Sequence, residues 1–231
     1  MRVRILASVR FPLEGAGWPR KLLIGGATGL LFELVFVGLA YLASEEAAFG
    51  IAPLAVLVNL PAVGYALRVF SGTLRWEVAA LPEWENWTDL FYSGLVGFII
   101  ALMYGMVPLV LLLVGLGLLV KGGILLFLGM VMMVLGVLAG VFTLFFFPMA
   151  MAHYISQRRL EAAFHPGMLW EGINGVLAEY VATYLFSVGL YILGGLVAAI
   201  PYVGAISWPF LWFYLLLVQA RLFGEICAKA V

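Results

Sequence analysis

The sequence has few charged residues and only one cysteine. Charged side chains make up 10% of the 231 residues, whereas a soluble domain carries roughly 25% because it has a large surface facing water. So few charges cannot form a water-facing shell, and most of the surface must therefore meet lipid. Because Cys227 is the only cysteine, an internal disulfide and a Cys-rich metal site are both excluded.

Long apolar runs take the place of the missing charges, and 65% of the residues are hydrophobic. A helix needs about 20 apolar residues to cross a bilayer. Residues 91–150 are apolar apart from Lys121, and a single helix of that length would measure about 90 Å, so we expect a turn at Lys121. A short acidic turn at Ser44–Glu46 and a hinge at Pro201–Gly204 separate other runs. The predicted spans are residues 22–42, 50–70, 91–119, 123–150, 180–200 and 202–223.

These spans predict an all-α integral membrane protein. We expect a single polytopic domain over residues 1–231, with six transmembrane helices in three hairpins. The polar loops 68–90 and 153–179 become interfacial segments, because their tryptophans favour the headgroup layer. The spacings Gly25-x-x-x-Gly29 and Gly136-x-x-x-Gly140 permit close contact between helices.

The basic residues are distributed very unevenly between the predicted loops. Only Lys121 would lie on one side of the membrane, while the other eleven basic residues share the opposite side. Short loops rich in Lys and Arg stay in the cytoplasm during insertion, so we expect both chain ends and both long loops to be cytoplasmic. The eleven are Arg2, Arg4, Arg10, Arg20, Lys21, Arg68, Arg75, Arg158, Arg159, Arg221 and Lys229.

The most distinctive stretch, residues 81–90, contains three acids and two tryptophans on an otherwise basic face. The first interpretation is a binding site. Trp84 and Trp87 would offer ring faces to a cationic headgroup or to a basic loop of a partner. Glu83 and Glu85 would add charge attraction to the same group.

The second interpretation of residues 81–90 is structural. Pro82 would begin a short interfacial helix, and the acids would pair with Arg68 and Arg75. Thr88 or Asp89 would then cap the third span. Arg68 is therefore a candidate site residue under both interpretations.

A second candidate site lies within the predicted spans. Glu33 is near the middle of the first span, and Asn59 lies at a similar depth in the second. A carboxylate at this depth costs several kcal/mol when ionised and is a functional candidate by default. The pair would bind a proton or cation. Alternatively, a protonated Glu33 would bond to Asn59 and only hold the two helices together.

No catalytic motif is present in the sequence. It has no phosphate-binding glycine loop, nucleophile elbow or HExxH, and its two histidines lack metal-ligand spacing. We expect a non-enzymatic membrane module, without cofactor or metal, that binds membrane lipids or a membrane-protein partner, including a second copy, but no nucleic acid. The alternative is a small transporter, channel or lipid-moving protein that uses Glu33 and Asn59 in a cavity of the helix bundle.

Five motifs follow one another along nearly the whole chain, and in their order and spacing the sequence resembles the prokaryotic family catalogued as domain of unknown function 4013. The resemblance implies a small six-helix membrane protein of the bacterial or archaeal plasma membrane. It also implies a distant likeness to the membrane domains attached to some glycerophosphodiester phosphodiesterases. The motifs are Lys21-Leu-Leu-Ile-Gly-Gly26, Gly64-Tyr-Ala-Leu-Arg68, Leu81-Pro-Glu-Trp-Glu-Asn-Trp-Thr-Asp-Leu-Phe91 with Gly94, Pro148-Met-Ala-Met-Ala152, and Gln219-Ala-Arg-Leu-Phe-Gly224.

Overall fold

The computed structural model describes residues 5–42 and 45–231, with side chains described throughout that part except at residues 36, 37, 39–42 and 45–55. Arg2, Arg4 and Ser44 of the predictions above lie outside the described residues. The described chain is helical and contains no strand, which confirms the all-α class. The α-helices are α1 (Ile5–Arg10), α2 (Trp18–Leu42), α3 (Glu45–Leu74), α4 (Trp87–Leu119), α5 (Gly123–Gln157), α6 (Pro166–Gly175), α7 (Leu177–Ala198) and α8 (Val203–Cys227).

Four of these helices, α4, α5, α7 and α8, are long and apolar enough to cross a membrane. The sequence prediction that the chain has the apolar helices of a membrane protein is therefore confirmed. The remaining predicted spans fall within α2 and α3, which have 25 and 30 residues. The count of six crossings and the three-hairpin arrangement stay predictions.

Two of the three turns that the sequence indicated are present in the described chain. The third, predicted at Ser44–Glu46, lies partly outside the described residues, and Glu45 and Glu46 belong to α3. A turn at Lys121 separates α4 from α5, and Gly122 and Gly123 that follow it adopt φ values of +69° and +61°, which glycine tolerates best. A second turn over residues 199–202 separates α7 from α8, with Tyr202 at φ +62°. Helix α5 continues past its predicted end at residue 150 to Gln157, because a helix need not end where its apolar run ends.

The chain divides into two compact units, Met1–Gly97 with Gly172–Val231, and Phe98–Glu171. In the first unit α2, α3 and α8 pack against one another, and α7 packs against α8. Glycines allow the closest approach of α2 to α8, because a Cβ at Gly25 or Gly26 would overlap a phenylalanine ring of α8. The close contact predicted for the Gly25-x-x-x-Gly29 spacing is confirmed.

The first unit also contains a close crossing of α3 with the first part of α4. A Cβ at Gly64 would overlap the carbonyl oxygen of Leu90, and a Cβ at Gly94 would overlap that of Leu60. Because backbone faces backbone at both positions, no side-chain movement could make room for a larger residue. The crossing places the start of α4 beside the end of α3.

The second unit contains the rest of α4, helix α5 and a short 3₁₀ helix, Leu160–Phe164, that packs on α5. The backbones of α4 and α5 approach closely where Gly115 faces Gly129 and where Gly136 faces Leu112. Apolar side chains such as Leu113 and Phe127 point outward and are more than half exposed. An exposed apolar surface of this kind suits a lipid environment.

Candidate functional site

The segment between α3 and α4, residues 75–86, is the inner linker, and it is not helical. Helix α3 ends in a Schellman motif, in which Glu77 N–H donates to Gly72 O at 2.9 Å and Trp76 N–H donates to Thr73 O at 3.0 Å. Trp76 adopts φ +59° in this motif, where glycine is the usual residue. The prediction of a short helix that begins at Pro82 is wrong. The carbonyl groups of this segment accept hydrogen bonds from side chains instead.

Side chains from three helices donate hydrogen bonds to main-chain carbonyl oxygens of the inner linker. Lys21 Nζ of α2 donates to Leu81 O at 2.7 Å, and the Tyr65 hydroxyl of α3 donates to Pro82 O at 2.6 Å. Burying non-helical backbone is costly unless such partners satisfy its polar groups. These donors therefore hold the linker in place without any secondary structure of its own.

Arg68 of α3 binds the second half of the inner linker. Its guanidinium donates to Glu85 O at 3.0 Å and, over a longer distance of 3.5 Å, to Glu83 O. It also forms an ion pair with Asp89 at 3.0 Å. Because Asp89 lies in the first turn of α4, its charge also favours that helix terminus. The predicted pairing of the acids with Arg68 is confirmed for Asp89.

Arg221 of α8 binds the first half of the inner linker. One of its terminal nitrogens donates to Val78 O at 2.5 Å, while its Nε pairs with Glu225 one turn further along α8 at 2.9 Å. The guanidinium also lies 5.0 Å from the ring centre of Phe11, close enough for a cation–π contact. All four donors, on α2, α3 and α8, therefore converge on one stretch of backbone.

Trp84 is the centre of an aromatic cluster, which we call the Trp84 cluster (Tyr65, Trp84, Trp87 and Phe213). The Trp84 ring stacks on Tyr65 at 4.3 Å between ring centres, and Trp87 stacks on Trp84 at 5.3 Å. Trp84 Nε1 donates to Lys21 O at 3.1 Å. The indole is thus fixed by packing and by a hydrogen bond.

The predicted site residues in the inner linker divide into two groups. Glu83 pairs with Lys21 at 2.6 Å, and Trp84 and Arg68 make the contacts described above. Trp87 and the Glu85 side chain remain on the surface, and Trp87 is 48% exposed. The binding role of all five stays a prediction, and the exposed pair is the part that a ligand would meet first.

Glu33 and Asn59, the predicted pair within the spans, are both partly exposed. Oδ1 of Asn59 is buried and has no hydrogen-bond partner among the described residues. A bond from a protonated Glu33 to this oxygen is therefore absent from the described structure. Whether the two residues form a site stays a prediction. Within the same described part, no group of three or more His, Cys, Asp or Glu could hold a metal.

Sequence reasoning missed four residues that build this site: Lys21, Tyr65, Phe213 and Arg221. Their partners lie far away in sequence, 60 residues in the case of Lys21 and Leu81. A local pattern cannot reveal such pairs. The one available signal was that Lys21, Tyr65 and Arg221 all fall within the motifs that carry the family resemblance.

No curated protein and no solved structure matches the chain. The likeness to the membrane domains of glycerophosphodiester phosphodiesterases therefore stays a prediction. A family model described as a protein of unknown function, DUF4013, matches residues 47–203, well over half of the chain. The match includes the Gly64–Arg68 motif, the whole inner linker and Gly94. The chain belongs to the DUF4013 family.

Proposed function

We propose that this protein is a non-enzymatic module of the prokaryotic plasma membrane that binds lipid or a partner membrane protein at its cytoplasmic face. It crosses the membrane six times, and both of its ends are cytoplasmic. The lopsided distribution of basic residues supports this orientation. The lengths of α2 and α3, at 25 and 30 residues, support the two further crossings.

The observation that carries the proposal is how the polar residues of the inner linker are used. Lys21, Tyr65, Arg68 and Arg221 all donate to main-chain carbonyl oxygens. An active site needs groups that converge on a substrate, whereas these converge on the backbone of the protein itself. The arrangement supports a rigid scaffold that presents the surface around Trp87.

Trp87 provides the sharper test of this surface, because Trp84 is also needed for packing. We expect Trp87→Ala, which removes one ring contact, to accumulate like wild type and to be destabilised less than Trp84→Ala. It should nevertheless lose lipid or partner protein that co-purifies with wild type. Native mass spectrometry after extraction in a mild detergent measures lipid, partner and copy number together. Tyr92→Ala is the matched control, since Tyr92 is another exposed aromatic residue near the start of α4.

The proposal loses its support if Trp87→Ala retains every lipid and protein found with wild type. Trp84→Ala should instead lower the thermal stability, because it removes three ring contacts and the hydrogen bond to Lys21 O. A Trp84→Ala protein as stable as wild type would contradict the structural role given to the cluster.

A second candidate function, a small transporter, channel or lipid-moving protein, rests on Asn59. A buried amide oxygen without a partner costs about 1–3 kcal/mol, and a bound proton donor, water or cation would offset that cost. We expect Glu33→Gln to weaken any flux of ions, small solutes or labelled lipid in proteoliposomes. A wild-type protein that supports none of these fluxes would remove this candidate.

A further inference from the structure

The second unit contains a large apolar groove between α4 and α5. Its volume is about 940 Å³, close to the upper end of the range of roughly 300–1,000 Å³ found for small-molecule sites. Residues of both helices form its walls, and residues 164–170 lie at one end. The lining residues used below are Tyr104, Ala139, Phe142, Phe146, Phe164 and Trp170.

The groove offers an apolar ligand surface with no free hydroxyl. The Tyr104 hydroxyl donates to Ala163 O at 2.5 Å, and the Thr143 hydroxyl donates to Tyr104 O at 3.3 Å. A polar ligand would therefore find both hydroxyl donors already engaged. A hydrocarbon chain needs no such partners and gains from burial alone.

Aromatic side chains gather at the end of the groove that residues of the segment 164–170 line. Phe164 stacks on Tyr104 at 5.3 Å between ring centres, and Trp170 stacks on Phe146 at 6.4 Å. Trp170 is 53% exposed. Tryptophan and tyrosine favour the headgroup layer of a bilayer, so this end of the groove corresponds to the level where an acyl chain meets its headgroup.

Two arginines lie close to the same end. Arg158 follows the last residue of α5, and Arg159 precedes the 3₁₀ helix that ends at Phe164. That helix rises about 2 Å per residue, so the backbone of Arg159 lies roughly 10 Å from that of Phe164, which lines the groove. Both arginines are exposed, and neither is in an ion pair with another described residue. The segment 158–170 contains one acid, Glu161.

We propose that this groove binds one anionic phospholipid, with an acyl chain against Ala139 and Phe142 and the phosphate on Arg158 and Arg159. The charge of the arginines complements a phosphate, and basic residues at the cytoplasmic boundary attract anionic lipids. The proposal rests on the proposed function, of which it names a ligand class and a site separate from Trp87.

The test for the acyl chain compares two substitutions on α5. Ala139→Trp fills the groove, whereas Val137→Trp places the same ring two residues away, at an exposed position that does not line it. The proteins are incubated with vesicles of equal phosphatidylglycerol and phosphatidylcholine, and retained lipid is counted by native mass spectrometry. We expect wild type and Val137→Trp to retain one phosphatidylglycerol, and Ala139→Trp to lose it.

Equal retention by the two tryptophan variants would overturn the groove as the site. If wild type retains no lipid at all, the lipid-binding form of the proposed function fails as well. Failure of the groove alone is therefore distinguishable from failure of the proposed function. A photoreactive phosphatidylglycerol, labelled in its acyl chain, gives a test on wild type that needs no variant. Cross-links on Met103 or Phe142 support the site, and cross-links only on outward residues such as Leu113 contradict it.

The headgroup part of the proposal has its own test. We expect Arg158→Gln with Arg159→Gln to reduce the preference for phosphatidylglycerol by roughly five- to thirtyfold. The control combines Arg10→Gln with Arg75→Gln, which removes the same charge from exposed positions elsewhere. A double variant at 158 and 159 that keeps the wild-type preference would overturn the role of these arginines.

Discussion

Single side chains with long donors hold the inner linker by its main-chain oxygens. Lys21 is the clearest case, because it is only 7% exposed and its ammonium group contacts both Leu81 O and Glu83. The Glu83 side chain is 62% exposed, so water and salt screen its pairing with Lys21. The buried hydrogen bond to the carbonyl oxygen therefore contributes more to stability than the ion pair does.

This difference predicts unequal effects of two substitutions. We expect Lys21→Met to lower the free energy of unfolding by about 1–3 kcal/mol, because Leu81 O is left without its donor. Glu83→Gln should lower it by no more than about 1 kcal/mol. Thermal unfolding in detergent at low and high salt measures both effects, and equal losses for the two variants would contradict this account.

The sequence anticipated some of these residue contacts and missed others for a physical reason. The pair of Arg68 with Asp89 was expected, because the sequence places two residues of opposite charge in one predicted loop. The contacts of Lys21 and Tyr65 with carbonyl oxygens were not, because a main-chain acceptor is the same at every residue and leaves no trace in the sequence. Only the tertiary structure selects which carbonyl is used.

Helices α3 and α4 cross where Gly64 and Gly94 each face a carbonyl oxygen of the other helix. No side chain at this crossing could move aside to make room, since both surfaces are backbone. We expect Gly64→Ala to lower the free energy of unfolding by about 1–3 kcal/mol, in the range of other overpacking substitutions.

The control for Gly64→Ala is Gly189→Ala in α7. Nothing lies within 4 Å of a Cβ at Gly189, and alanine is the better helix former by roughly 1 kcal/mol. This variant should be as stable as wild type or more stable, as judged by the midpoint of thermal unfolding in the same detergent. If Gly64→Ala behaves like Gly189→Ala, the close crossing is wrong.

At the scale of whole elements, the long apolar runs predicted the positions of the helices, whereas the polar stretch at residues 81–90 predicted a helix that is absent. Each predicted span lies within or almost entirely within one long helix, because an uninterrupted apolar run leaves the backbone little choice but to bond to itself. The helix predicted at Pro82 did not form. There the backbone oxygens have side-chain donors, so the helical pattern has no advantage.

The whole molecule is a DUF4013 protein whose helices suit a membrane, and its orientation can be tested with single cysteines. Cys227 is buried, and Cys227→Ala provides a background without thiols. We then expect Gly167→Cys to react with an impermeant maleimide only after the membrane is opened, and Lys121→Cys to react from outside. The reverse pattern would contradict the placement of basic residues in the cytoplasm.

The turn at Lys121 also has a practical consequence. A Cβ added at Gly122 or Gly123 would meet nothing within 4 Å, and both glycines adopt a positive φ. Exposed tips of this kind tolerate inserted chain better than packed segments do. A small rigid protein or an epitope for an antibody fragment could be grafted between the two glycines, which would give electron cryomicroscopy a visible marker on a particle of only 25.2 kDa.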